Sequence, residues 1–153
     1  MEDWLELRFK IFSLVIFILF GFPCALEDFR TLKINPWNAY FGTLVIGLAA
    51  AFFCFEAFVP ALISCVAIFA VFLITRFVFK ADLGMGDVKF SLFCGMACGN
   101  VLWALAGLGV ACIATALAFL IAKIKGSPFK KLPFVPFLVA GTTLVMLCRI
   151  FIK

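Results

Sequence analysis

Two aspartates, in a chain that contains no histidine, lie at the ends of apolar segments. Asp28 lies in ALEDFRTLKIN, where a first apolar segment ends, and Asp87 lies in GMGDVKF, where a later one begins. Two adjacent carboxyls cannot both ionise cheaply, so one keeps a proton while the other stays charged. The carboxylate can take a proton from an attacking water, and its protonated partner can donate a hydrogen bond to the developing oxyanion. This pair could therefore carry out general acid–base hydrolysis of a peptide bond.

The residues around Asp87 fit two interpretations. Gly84 and Gly86 permit backbone conformations and close approaches that a Cβ would block. An ionisable group at the boundary of an apolar segment is costly to place there and is often functional. Alternatively, Asp87 only caps the helix that it opens, because Asp suits a helix N-terminus and the helix dipole favours its charge there.

Asp28 by itself is more simply interpreted as a solvated loop acid, paired with Arg30 or Lys33. The presence of a second aspartate favours a functional interpretation, because two aspartates at the same end of a packed helix bundle can meet. The sequence alone does not show that they do.

The composition predicts the structural class. The chain has 153 residues, of which 67% are hydrophobic and 14% charged, and its mean hydropathy is +1.26. An ordinary soluble domain is about half apolar and about one quarter charged. Lipid must therefore cover the surface, and we predict an all-α integral membrane protein, a bundle of about six transmembrane helices forming one domain over residues 1–153. The seven cysteines include no CxxC pair, so we interpret them as buried thiols and expect neither a metal site nor a disulfide framework.

Apolar segments separated by charges or turn residues define the predicted spans. At about 20 residues per crossing, the chain has room for about six. The first segment lacks the basic start and the cleavage pattern of a secretory signal, so we expect a retained helix. The predicted spans run from about Phe9 to Ala25, Trp37 to Phe55, Pro60 to Phe79, Asp87 to Gly99–Asn100, Val101 to Ala122 and Leu132 to Ile152.

Basic residues predict the orientation of the bundle. With six spans, loops one, three and five share a side, and that side carries nine of the 13 basic residues. The positive-inside rule places it in the cytoplasm and both termini outside. The chain is then a multi-pass protein of the cytoplasmic (inner) membrane, surrounded by lipid, with Asp28 and Asp87 on the cytoplasmic side.

Three stretches of this sequence resemble the prepilin peptidases, the aspartic peptidases that process type IV prepilins and preflagellins. GMGDVKF matches the GxGD signature of that family, EDFRTLKIN is similar to the segment around its first catalytic Asp, and LPFVPFLVAG is similar to its Pro-Phe-x-Pro-Phe pattern. The resemblance implies that Asp28 and Asp87 are catalytic and that Gly84 and Gly86 shape the turn that presents Asp87. Lys89 matches the family's lysine, which either tunes the aspartate pair or anchors the helix at the membrane interface.

Two departures from the family pattern refine what the resemblance implies. The usual Ile–Pro–Asn order appears here as Ile34, Asn35, Pro36, and the tetracysteine zinc segment of longer relatives has no counterpart. The chain is therefore similar to the short form found in Tad/Flp pilus systems or among archaeal preflagellin peptidases, without methyltransferase activity, cofactor or nucleic-acid partner. The implied substrate is a prepilin-like protein with a short basic leader, cleaved after Gly at the cytoplasmic face. Because the loops on that side are themselves basic, binding would have to rely on the substrate helix packing laterally against the bundle, with local acids such as Glu27 or Asp82 assisting.

Other functions remain open from the residues alone. A transporter or channel component could use intramembrane acids as a cation or proton relay, and a structural subunit would need neither aspartate. A larger presenilin-type GxGD protease fits this short chain less well.

Overall fold

Six α-helices make up nearly all of the described structure. The computed structural model describes residues 2–78, 84–125 and 133–151, and no strand occurs within these ranges. The helices are α1 (Glu2–Thr31), α2 (Pro36–Phe53), α3 (Phe55–Val78), α4 (Met85–Cys98), α5 (Val101–Ile124) and α6 (Val135–Phe151). The predicted all-α bundle is confirmed. Asp82, named above as an aid to leader binding, lies outside the described residues.

Helices α1, α2, α3 and α5 are long and apolar enough to cross a membrane. Large hydrophobic side chains, such as Phe52, Leu102 and Phe151, are exposed on the outside of the bundle. Exposing so much apolar surface to water would be unfavourable, whereas contact with lipid tails carries no such penalty. The chain is a multi-pass membrane protein.

Helix α4 is the short central element. Its 14 residues span only about 21 Å at the 1.5 Å rise of an α-helix, less than the hydrocarbon thickness. It contacts each of the other five helices, and most of its residues are buried. Where α4 meets α3, a Cβ on Gly95 would lie 2.6 Å from the Cα of Cys65, so only glycine allows this approach.

The predicted break between spans four and five is confirmed. Gly99 ends α4 with φ of 63°, in the left-handed region that favours glycine. Asn100 then caps α5, because its Oδ1 accepts a hydrogen bond of 2.8 Å from the backbone N–H of Leu102.

The predicted placement of Asp28 in the loop after the first span is wrong. Helix α1 continues past Ala25 to Thr31, so Asp28 lies in a helix rather than in a loop. The chain leaves the helix at Leu32, whose φ of 54° is unusual for a residue with a side chain, and the Leu32 N–H donates to the carbonyl oxygen of Asp28 at 2.9 Å. The carboxyl of Asp28 is therefore carried on a rigid element.

Candidate active site

Three helix ends meet at one end of the bundle: the C-terminus of α1 and the N-termini of α4 and α6. The side chain of Asp28, in the last turn of α1, is 5% exposed, so the interpretation as a solvated loop acid is wrong. Its Oδ2 accepts a hydrogen bond of 3.0 Å from the backbone N–H of Val135, at the start of α6. Within the described residues, neither Arg30 nor Lys33 forms an ion pair with it.

Asp87 lies in the first turn of α4. Its Oδ2 accepts a hydrogen bond of 3.2 Å from the backbone N–H of Gly84, the residue that precedes the helix. The capping interpretation therefore describes the local structure correctly. It does not compete with a chemical role, because the same residue also lines a cavity.

The two glycines of GMGD act through close approach. Gly84 has φ −61° and ψ 141°, which any residue adopts, so its backbone conformation does not require glycine. A Cβ on Gly84 would lie 3.1 Å from Oδ2 of Asp87, and one on Gly86 would lie 3.0 Å from Cδ1 of Ile34. The missing side chains thus let the Asp87 carboxyl fold back and let the α1–α2 loop pack on α4.

Both aspartates line one cavity of about 370 Å³. Burial raises the pKa of the Asp87 carboxyl, and the negative charge of Asp28 raises it further, which favours a state in which one of the two carboxyls holds a proton. Such a volume holds several waters or a short extended stretch of peptide. The cavity is lined by Asp28, Leu32, Lys33, Ile34, Gly84, Met85, Gly86 and Asp87.

Lys89 is not among the residues that line this cavity. It follows Asp87 by two positions, which places the two side chains about 200° apart around the helix axis. Lys89 is partly buried and forms no ion pair within the described residues. The basic residue that does line the cavity is Lys33, which the sequence suggested only as a partner for Asp28.

The order Ile34–Asn35–Pro36 has a local explanation. Asn35 caps α2, since its Oδ1 accepts a hydrogen bond of 3.2 Å from the Trp37 N–H, and Pro36 occupies the first helical position, where no N–H is needed. The carboxylate of Glu27 accepts a hydrogen bond of 3.1 Å from the Asn35 N–H and so holds this turn against α1.

Sequence reasoning missed the backbone amide of Val135. The PFVPF stretch resembles the family pattern but indicates no chemical role, because the amide of an apolar residue carries no chemical signal of its own. Prolines beside it were the one available sign of a helix start. Within the described ranges, no three His, Cys, Asp or Glu side chains converge as a metal-binding set would.

Comparison with known families gives one finding. The model of the type IV leader peptidase family matches residues 15–126, which is well over half of the chain and includes both aspartates and both glycines of GMGD. Comparison with the curated proteins and with the solved structures gives no match.

Proposed function

Because the chain belongs to the type IV leader peptidase family, we propose that it is an aspartic endopeptidase in which Asp28 and Asp87 activate water. The family implies peptidase activity on prepilin-like proteins in general. The proposed aspartate mechanism is supported by one observation, namely that both aspartates line the same cavity.

The reaction follows from one proton shared by two carboxyls. The ionised carboxylate takes a proton from a water as the water oxygen attacks the peptide carbonyl carbon. The protonated carboxyl donates a hydrogen bond to the carbonyl oxygen, on which negative charge develops. The tetrahedral intermediate then collapses, the C–N bond breaks, and the leaving nitrogen receives a proton from the carboxyl that took it from water.

The proposed substrate is a prepilin-like protein whose short basic leader ends in Gly, with cleavage after that Gly. The cavity lies at the helix ends, and the apolar outer surface of the bundle allows a substrate helix to pack beside it in the lipid. The basic residues of loops one, three and five favour a cytoplasmic position for this end, in the cytoplasmic (inner) membrane with both termini outside.

Binding of a basic leader needs acidic residues near a cavity that also contains Lys33. Glu27 is partly exposed near the α1–α2 loop, and Asp82 precedes GMGD in the sequence. We propose that these two acids attract the leader. Unchanged cleavage of a basic-leader substrate by the double variant Glu27→Gln/Asp82→Asn would remove this part of the proposal.

Cleavage of a co-expressed prepilin-like protein tests the function. We expect wild type to remove the leader after Gly, and Asp28→Asn and Asp87→Asn each to lose about 10²–10⁴-fold in rate. Leader loss is read by gel shift and mass, and enzyme abundance is read in the membrane fraction. Glu56→Gln is a matched control, since Glu56 also lies in a first helical turn but lines a different cavity.

Each outcome has a defined meaning. Cleavage by a normally expressed Asn variant would show that the substituted aspartate is not catalytic. If wild type cuts none of several prepilin-like proteins while either aspartate supports proton flux in vesicles, the relay function replaces the peptidase.

A further inference from the structure

The two aspartates are held in different ways. The Asp87 carboxyl accepts a hydrogen bond from the N–H of Gly84, which is only three positions away. Its orientation is therefore set locally by the start of α4. The Asp28 carboxyl accepts a hydrogen bond from the N–H of Val135, which is 107 positions away in the sequence. The orientation of the Asp28 carboxyl therefore depends on how α6 packs against α1.

The Val135 amide is free for this bond because of its place in α6. Phe134 precedes the helix, and its carbonyl oxygen accepts the first helical hydrogen bond, from Leu138 at 3.1 Å. The first N–H groups of a helix have no partner within the helix. Pro136 has no N–H at all. The donor at Val135 is thus aimed out of the helix end, where the helix dipole is positive and favours a negative charge.

Packing fixes the position of this amide. The side chain of Val135 is fully buried, and the ring of Phe134 lies against that of Phe72 in α3, with ring centroids 6.1 Å apart. Phe72 is itself buried. Both residues that flank the Phe134–Val135 peptide bond are therefore anchored in the core.

We propose that the N-terminus of α6 is a positioning element of the active site, in which the Val135 amide orients Asp28 and stabilises its carboxylate. Burial disfavours a charge on Asp28, and the backbone N–H of Val135, followed by that of Phe134, offsets part of that cost. The proposal rests on the peptidase function above and extends the active site to a segment outside the matched residues 15–126.

Replacing the Phe134–Val135 amide by an ester tests this role most directly. Incorporation of the α-hydroxy analogue of valine at position 135 removes the N–H and leaves every side chain unchanged. We expect kcat to fall about tenfold. The acidic limb of the kcat/KM profile should also move to higher pH, because a carboxylate without its donor binds protons more tightly.

A matched ester separates this role from helix stability. The N–H of Leu102 lies in the first turn of α5. It also donates a hydrogen bond to a side-chain oxygen, that of Asn100. An ester at Leu102 should leave the pH profile of cleavage unchanged. A Leu102 ester that shifts the profile as the Val135 ester does would contradict the specific role of Val135.

Truncation of the anchoring side chain provides a second test. Val135→Ala should lower kcat with little change in KM and shift the pH profile in the same direction. Val145→Ala is an equal truncation of a buried residue farther along α6. It should leave kcat, measured per correctly folded enzyme, and the pH profile unchanged. If Asp28→Asn is inactive but neither change at Val135 alters kcat or the pH profile, the positioning role is wrong while the peptidase function stands. If Asp28→Asn still cleaves, the proposed function itself fails.

Discussion

Gly86 lies so close to Ile34 that a Cβ on the glycine would come within 3.0 Å of Cδ1 and 3.2 Å of Cβ of the isoleucine. Gly86 belongs to the first turn of α4, beside Asp87, and Ile34 belongs to the loop that follows the Asp28 helix. The contact therefore joins the two segments that carry the aspartates. The second glycine of GMGD therefore sets how closely the start of α4 approaches the α1–α2 loop.

Gly86→Ala should greatly lower the rate of cleavage and have a smaller effect on the stability of the fold. The added Cβ pushes the α1–α2 loop away from α4, and a shift of a few tenths of an ångström or more misaligns the two carboxyls. We expect kcat to fall by roughly 10- to 100-fold. Cleavage of a prepilin-like substrate by purified enzyme in detergent measures the effect.

Gly109→Ala is the control for Gly86→Ala. A Cβ on Gly109 would meet nothing within 4 Å, and Ala is the better helix former, so activity and stability should be retained or slightly raised. Full activity in a well-folded Gly86→Ala variant would show that the contact with Ile34 does not control the carboxyl geometry.

Lys33 and Lys89 should differ in their effect on the pH dependence of cleavage. Lys33 lines the cavity of the two aspartates, and Lys89 does not. Removing a positive charge near the carboxyls favours their protonated forms, so Lys33→Met should move the acidic limb of kcat/KM to higher pH. Lys89→Met should keep the wild-type profile and lose less than about tenfold in kcat, below the range typical of an acid–base group. The opposite pattern would assign the tuning role to Lys89.

Gly95→Val should destabilise the bundle. Its Cβ would lie 2.6 Å from the Cα of Cys65 and 2.7 Å from the carbonyl oxygen of Ser64, and backbone atoms cannot rotate away as a side chain can. We expect a loss of at least about 1–3 kcal/mol, the usual cost of overpacking. Thermal unfolding in detergent measures it, with Gly109→Ala again as the control. An unchanged melting temperature would mean that α3 and α4 separate at little cost.

Arg149→Met should lower stability without affecting the chemistry. The guanidinium of Arg149 donates a hydrogen bond to the carbonyl oxygen of Cys98, at the end of α4 opposite Asp87. Its loss leaves that carbonyl oxygen without its partner, at a cost of about 1–3 kcal/mol. Cleavage per folded molecule and its pH profile should match wild type. A shifted profile would show that the two ends of α4 are coupled.

Several structural features could be predicted from the sequence because they depend on neighbours along the chain. Composition predicted a helical membrane protein, since a surface so poor in polar groups needs lipid around it. Gly99 and Asn100 marked the end of α4 and the start of α5, because a left-handed residue and a side-chain cap are local signals. The GMGD motif likewise marked the start of α4 with Asp87 in its first turn.

The end of α1 could not be predicted from hydropathy. The segment from Leu26 to Thr31 contains charged residues and reads as a loop, yet it continues the helix. Tertiary contacts bury Asp28 there, and it is tolerated because the N–H of Val135 donates a hydrogen bond to its carboxyl. Hydropathy records where the chain can enter lipid, and it does not record which polar groups find partners inside the protein.

The sequence by itself determined the class of protein, the helical segments and the residue types available for chemistry. Tertiary structure decided which of those residues meet. Asp28 and Asp87 line one cavity, Lys89 does not line it, and the Val135 amide donates a hydrogen bond to Asp28. The physical reason is that lipid and protein interior are equally apolar, so the sequence of a membrane helix carries little information about which face packs against which neighbour. Close approaches at Gly86 and Gly95 specify those faces, and their partners are visible only in the folded bundle.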